Sequence, residues 1–425
     1  MQILQRYIQQ QTVNGSIDIE KLDFHASIFV VIPCYNEPDI LTTINSLSEC
    51  NPPKSKVAVL IVVNSSEDSP EEILDRNLKT LSAISEWKEQ NPYSFLNIQN
   101  LHVKNLPHKF AGVGWARKIG MDEVVKQLIA NGQEDGIIVS FDADSTVLPN
   151  YLQVIEESFE KNSKHNFFTI HFEHPFQNIV SSAYEREGII RYELHMRYFR
   201  NAMEWCGYPH SIHTVGSSFA LRASAYAKQG GMNRRKAGED FYFLHKLVLL
   251  GPYGNIGSTT VFPAARTSDR VPFGTGAAMK KWTEGNSELL TTYSFDAFIA
   301  LKPFFENPAR FLDMSPTALW ESFSDYSPAL QSYLEESETD KEIQELQANC
   351  SNSLTFTNRF FHRVNAFWIL KYLNFVHEKY LQRGELYNES IRLLKQSGID
   401  VSIGTPPEEL LEVFRSLDKR YRNCS

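Results

Sequence analysis

The chain is predicted to fold as an α/β protein, with a mostly parallel sheet flanked by helices and a helical C-terminal region. Three observations predict this. Short, apolar, β-branched runs at 27–33 (SIFVVIP), 57–63 (VAVLIVV) and 137–141 (IIVSF) have the length and composition of buried strands. Segments of helical periodicity lie between them. From about residue 290 the alternation stops and one helical segment follows another.

Pro33 closes the first run, and Asn36 stands where it can cap the next helix, with Pro38 near the first turn. Ile40, Leu41, Ile44 and Leu47 recur at helical spacing. The second run closes in an Asn-Ser-Ser turn. A helical pattern from Glu71 to Lys88 leads to strand-like residues near 96–103, then to a helix from about Gly114 to Ile129. In the tail, Phe361, Val364, Trp368, Tyr372 and Phe375 predict one aromatic helix face. Segment 336–345 (ESETDKEIQE) is charged and predicted to be exposed. These patterns divide the chain into an N-terminal extension (1–26), an α/β domain (27–290) and a helical region (291–425).

A chain of 425 residues with 42% hydrophobic content has ample material for two cores. Its net charge of −9 argues against a nucleic-acid binder, which would carry a basic stripe. The five cysteines are scattered and lack metal-ligand spacing, which predicts a reducing, cytoplasmic setting. The opening MQILQRYIQQ lacks the apolar core of a signal peptide. No apolar run reaches the ~18 residues of a spanning helix. Peripheral association with a membrane stays open.

Ligands of open α/β sheets bind outside the carboxyl ends of the strands. Each strong strand here ends in a polar cluster: Tyr35, Asn36 and Glu37; Asn64 to Asp68; Asp142 to Ser145. Asp142 and Asp144 are two apart at a strand end, so their carboxylates point the same way and repel. A divalent cation relieves that repulsion, and oxygen ligands suit Mg or Mn equally. The other reading is a solvated turn, where Asp is common. Gly112 and Gly114 precede a helix bearing Arg117 and Lys118, an arrangement suited to an anion, with Lys109 as a further charge. The other reading is an ordinary turn with solvated bases. Gly238, Glu239 and Asp240 read as a helix start, where acidic residues also serve as caps.

Several segments occur in the order seen in family 2 glycosyltransferases: PCYNEP (33–38), the loop at Asn64, GVGWARKIG (112–120), FDADS (141–145), GSSFALRASAYAKQGG (216–231) and GEDFYF (238–243). The chain resembles that family over roughly residues 27–290. The resemblance implies a GT-A, Rossmann-like fold. It implies metal-dependent, inverting transfer of a sugar from a nucleotide diphosphate to the hydroxyl of a carbohydrate or other acceptor, in polysaccharide or glycoconjugate synthesis. Pro33, Tyr35 and Glu37 would line the nucleoside pocket, and Gly114 and Arg117 would lie near the donor. Asp142 and Asp144 would form the D-x-D that meets donor and a divalent metal, Mn or Mg. Asp240 would be the catalytic base, with Glu239 orienting it or meeting an acceptor hydroxyl. Asn64 stands where the family commonly has a base-recognising Asp, so a UDP-sugar is expected with the base left open.

In the loop at 266–276 (RTSDRVPFGTG), Arg266, Asp269 and Arg270 are candidates to meet the diphosphate or close as a lid, with Gly274 and Gly276 as hinges. The resemblance implies a third metal ligand, commonly His, from this later region; no His lies in the loop, so that ligand is left unassigned, with Asp269 a candidate only. Three other readings compete. One is a non-catalytic binding module, which would be free to lose these carboxylates. A second is a sugar-phosphate nucleotidyltransferase, whose Gly-rich N-terminal loop PCYNEP does not resemble. The third is a membrane-surface enzyme using the aromatic and basic segment 359–375, against the reading that those aromatics are core.

Overall fold

The computed structural model describes every residue except 12–24, 93, 109–110, 178–181, 234–237, 268–273, 421–422 and 425. The chain runs through α1 (Gln2–Gln10), β1 (Ile28–Cys34), α2 (Ile40–Ser48), β2 (Val57–Ser66), α3 (Glu71–Gln90) and β3 (Leu96–Leu106). It continues with α4 (Val113–Ala130), β4 (Ile137–Ser140), β5 (Thr146–Val147), α5 (Tyr151–Lys161), β6 (Phe167–Phe172) and α6 (Ala183–Trp205). Then come β7 (Phe219–Arg222), α7 (Ala223–Lys228), α8 (Glu239–Leu247), β8 (Tyr253–Phe262) and α9 (Thr275–Thr283). The tail holds β9 (Thr291–Thr292), α10 (Phe295–Glu306), α11 (Pro316–Ser322), α12 (Pro328–Glu336), α13 (Thr339–Asn349), α14 (Ser353–Arg363) and α15 (Ala366–Lys379). It ends with β10 (Gly384–Glu385), α16 (Leu386–Gln396), α17 (Pro407–Asp418) and β11 (Asn423–Cys424). Two compact units result. One comprises 1–189, 214–284 and 416–425, and the other 190–213 and 285–415.

The first unit is the α/β sheet predicted from the alternation, in the order β11-β8-β6-β7-β4-β1-β2-β3, with β5 on β8. Strands β4, β1, β2 and β3 are parallel neighbours, as are β6 and β8, while β7 runs antiparallel between β4 and β6. Every residue of β1 is buried, which requires cover on both faces of the sheet. The register sets Cys34 opposite Val63 and Val31 opposite Ser140, so the polar clusters after β1, β2 and β4 emerge at one edge. Strand β1 runs through Pro33 instead of stopping there. The β4 ladder ends at Val31, so the missing Pro33 N–H breaks no bond on that side.

Helix α4 lies so close on β1 and β2 that a Cβ at Gly120 would stand 2.5 Å from Val31 Cγ1 and 3.0 Å from Val62 Cγ2. Helix α2 is capped by Asp39, whose carboxylate accepts from Thr42 N at 3.2 Å, and not by Asn36. Asn36 turns the chain at φ 51°, with its N–H held by Asn77 Oδ1 at 3.1 Å. Gly274 (φ 97°) starts α9, so Gly276 is helical and not a hinge.

In the second unit the aromatic stripe of the tail is split. Helix α14 ends at Arg363, and Asn365 caps α15 by accepting from Phe367 and Trp368 N. Phe361, Val364, Tyr372 and Phe375 are buried, and Phe304 meets the rings of Phe311, Tyr326, Phe360 and Trp368. This is the core reading of the segment. The charged segment 336–345 contributes to α13, whose Thr339, Ile343 and Leu346 are buried, so only part of it is exposed. Glu193 is buried as the acceptor of both Arg197 Nε (2.8 Å) and Arg415 Nε (2.7 Å). Among the described residues no helix is long and apolar enough to cross a membrane.

The packing of α4 generates a test. Gly120→Val places methyl groups where Val31 and Val62, both buried and stiff at χ1, leave no room. The expected loss is about 3 kcal/mol, read as a lower urea midpoint of the first unit.

Candidate active site

The site is built at the carboxyl edge of the sheet. The D-x-D turn is held from three sides. Phe141 N donates to Val31 O (3.1 Å), Thr43 Oγ1 of α2 donates to Ala143 O (2.8 Å), and Ser140 Oγ donates to Gly216 O (2.6 Å). Within the turn, Ser145 N donates to Asp142 O at 3.2 Å. Asp142 and Asp144 are left partly exposed, with 33% and 25% of their side chains accessible.

Arg117, on the first turns of α4, is fully enclosed. Its Nη2 donates to Asp142 Oδ1 at 2.6 Å, and its Nη1 donates to Glu239 Oε1. Gly216 leaves it room, since a Cβ there would stand 2.8 Å from Nη2. Burial opposes the charge on Arg117, but Asp142, Glu239 and Asp240 more than offset this and hold its pKa above the ordinary value. Burial raises the Asp142 carboxyl, Arg117 opposes that rise, and Asp144 adds to it.

Helix α8 supplies Glu239 and Asp240 in its first turn, after Gly238 at φ 70°. Phe243 fixes the helix, packing on Phe219 and Tyr226 with ring centroids 6.1 and 5.9 Å away. Asp240 accepts from the Phe241 N–H at 2.7 Å. Burial, then the neighbouring Glu239 charge, pushes its carboxyl up to about 7, with Arg117 acting the other way.

Arg266, just after β8, spans two clusters. Its Nη2 lies 2.5 Å from Glu37 Oε2 and 3.1 Å from Asp144 Oδ2. The structure therefore brings together Glu37, Arg117, Asp142, Asp144, Glu239, Asp240 and Arg266. Pro33, Asn64 and Gly114 are buried nearby in sequence, and Tyr35 is half-buried. Arg117 faces carboxylates with both Nη atoms, an arrangement different from the phosphate contact expected of it. Lys118 points elsewhere, its Nζ 2.8 Å from both Tyr7 OH and Asp122 Oδ2, where it helps fasten α1. The small residues Ser217 and Ser218 are buried, and Gly216 makes space for a side chain of this protein. Asp269, Arg270 and Lys109 lie outside the described residues.

Two contributors escape sequence reasoning. Asn77 of α3 holds Asn36 N with its Oδ1 and donates Nδ2 to Asn64 O at 2.9 Å, tying the ends of β1 and β2. Its signal was present: Asn77 and Thr80 begin the buried stripe that continues with Ile84 and Trp87. Thr43 sits likewise among apolar neighbours on the buried face of α2.

Asp142 and Asp144 fit a hard divalent ion in donor chemistry, as two adjacent and partly accessible carboxylates. Among the described residues no group of three or more His, Cys, Asp or Glu is placed to hold a metal. His171 is paired with Glu173 (2.9 Å) and His174 with Thr275 (3.0 Å).

Replacing Arg117 by Met keeps much of its volume but leaves Glu239 buried without its cation. The expected loss is about 3–5 kcal/mol, seen by thermal unfolding, with partial recovery on acidification as carboxylates protonate. A variant as stable as the parent would show that the bridge is not structural.

The family model described as glycosyl transferase family 2 matches residues 29–229. A search of curated proteins gives no match. Similar solved structures include S. aureus TarS 1-349 in complex with UDP-GlcNAc, at 13% identity, covering 81% of this chain and 92% of that one, TM-score 0.39. Others are the mannosyltransferase PcManGT from Pyrobaculum calidifontis with GDP-Man and Mn2+ (13%, 97% and 85%, TM-score 0.34) and GalNAc-T7 with UDP, GalNAc and Mn2+ (13%, 68% and 52%, TM-score 0.36). The match over 29–229, which holds the strands from β1 to β7 and the D-x-D turn, identifies a glycosyl transferase family 2 domain in the chain, the domain of a glycosyltransferase.

Proposed function

We propose that the chain moves a sugar from a nucleotide diphosphate, with a UDP-sugar as first expectation, to a hydroxyl of a carbohydrate or other acceptor. In this reading transfer inverts the anomeric centre and Asp240 is the base. One observation carries the assignment. Five carboxylates meet at the site, and four of them (Glu37, Asp142, Asp144 and Glu239) are in ion pairs with Arg117 or Arg266. Asp240 alone forms no ion pair among the described residues. A base needs an uncommitted lone pair and a pKa near the working pH, and Asp240 has both.

The chemistry then follows. The acceptor hydroxyl gives its proton to Asp240 while its oxygen attacks the anomeric carbon. The bond from that carbon to the diphosphate oxygen breaks on the opposite face, and the electron pair leaves with the nucleotide. Glu239, held by Arg117, fixes the first turn of α8 and thereby aims Asp240. Pro33, Tyr35, Glu37 and Asn64 at the strand ends and Gly114 in the first turn of α4 are the donor-side candidates. Asp142 and Asp144 would hold a divalent ion, Mn or Mg, whose contribution when bound is to neutralise charge on the diphosphate. The scattered cysteines, without metal-ligand spacing, support the reading of a reducing cytoplasmic setting.

Asp240→Asn should lower turnover by about a hundred- to ten-thousandfold and leave nucleotide binding nearly intact. Unchanged turnover would remove Asp240 from the base role. Only the ionised carboxylate accepts a proton, and its pKa stands near 7. Thus kcat/KM should rise with pH up to about 7 and level off above, and a profile flat from pH 5 to 8 would contradict the assignment. The donor site has its own test, thermal shift with UDP, GDP, CDP and dTDP, each with and without Mn. Stabilisation that requires metal and one nucleotide, and is lost in Asp144→Ala, is the expected outcome. No stabilisation by any of them would favour a binding module.

A further inference from the structure

The position of Arg266 bears on how a metal would reach Asp144. Glu37 is buried to 2% exposure, so its negative charge requires a cationic partner, and Arg266 is that partner. The same nitrogen, Nη2, also holds Asp144 Oδ2. One guanidinium nitrogen therefore holds two carboxylates at once, on the nucleoside side and on the D-x-D side. The Arg266 Nε is buried and makes no hydrogen bond, so the donor capacity of this side chain is not spent in this arrangement. A divalent ion bound to Asp144 would compete for the same carboxylate and would repel a guanidinium at this distance.

We propose that Arg266 is an internal counter-ion that a divalent ion must displace from Asp144, with Glu37 retaining the side chain as it moves. This rests on the reading of Asp144 as a metal ligand. Arg266 is then a positioning residue. It offsets part of the charge of the acidic cluster, weakens the binding of bare metal, and releases N–H groups near the donor side when metal arrives.

The test measures Mn2+ binding without nucleotide, from the EPR signal of free Mn2+, for the wild type and for Arg266→Gln, Arg266→Lys and Asp144→Asn. Loss of a half-exposed ion pair should let Arg266→Gln bind Mn2+ about fivefold more tightly than the wild type. Arg266→Lys, which keeps the charge, should stay near the wild type, and Asp144→Asn should bind least. Equal or weaker binding by Arg266→Gln, with binding still lost in Asp144→Asn, overturns the counter-ion role and leaves the metal-ligand reading standing. No Mn2+ binding by any form overturns both. A second measurement needs only wild-type protein, which matters because Glu37 loses this ion pair in Arg266→Gln. Phenylglyoxal modification of Arg266, followed by mass spectrometry, should speed up severalfold on adding Mn2+. An unchanged rate, in protein that binds Mn2+, rejects displacement.

Discussion

A guanidinium with 2% of its surface exposed joins three elements far apart in sequence, and the site depends on that junction. Arg117 comes from α4, Asp142 from the turn after β4, and Glu239 from α8. Each would be costly to bury alone, and each is tolerable only because the others are present. The junction imposes conditions elsewhere. Helix α4 must approach β1 and β2 closely, which the hydrogen side chain of Gly120 permits. The turn before β7 must pass the guanidinium without a side chain, and Gly216 meets that need. Helix α8 must be seated before its acids are useful, and Phe243 seats it on Phe219 and Tyr226.

From this junction comes a division of labour between neighbouring acids. Successive residues on a helix point about 100° apart. Glu239 pairs with Arg117, while Asp240 is in no ion pair among the described residues and accepts its neighbour's N–H. Arg117 is near enough to draw the Asp240 carboxyl down, yet burial and the Glu239 charge dominate, and the result lies near 7. Had Asp240 also found a guanidinium, its carboxyl would stay ionised but would be a poor proton acceptor. The ion pairs of its neighbours are what leave it available.

The fold was legible in the sequence where burial writes a continuous signal. Runs such as VAVLIVV carry no polar residue because both faces of β2 are covered, and the polar clusters after them mark where cover ends. The pair Asp142 and Asp144 stood out for the same reason, as charge at the end of an apolar run, whereas the acids of α8 stood out as a helix start and through the family resemblance. What was not legible depends on choices between near-equal local options or on long-range pairing. Asn36 and Asp39 are both competent caps, and Asn77 decides between them by holding Asn36. The aromatic stripe of the tail keeps its spacing across Asn365, so periodicity gives no sign that α14 ends and α15 begins. Lys118 follows Arg117 directly, but a helix turns it toward Tyr7 and Asp122 of α1 and α4. Nothing local says that Arg266 would meet Glu37, a partner 229 positions away.

The family match ends at residue 229, and both of the ion-pair bridges at the site cross that limit. Arg117 and Asp142 lie within it and Glu239 beyond it; Glu37 and Asp144 lie within it and Arg266 beyond it. Without the later residues, Arg117 would keep one of these two carboxylates, and Glu37 would lose its ion pair with Arg266. The matched segment can therefore carry the fold and the D-x-D turn, but its electrostatics close only when α8 and the end of β8 have packed in place. Assembly of the site and completion of the first unit are for this reason the same event. Asp240, in no ion pair among the described residues, comes from α8, beyond the matched segment.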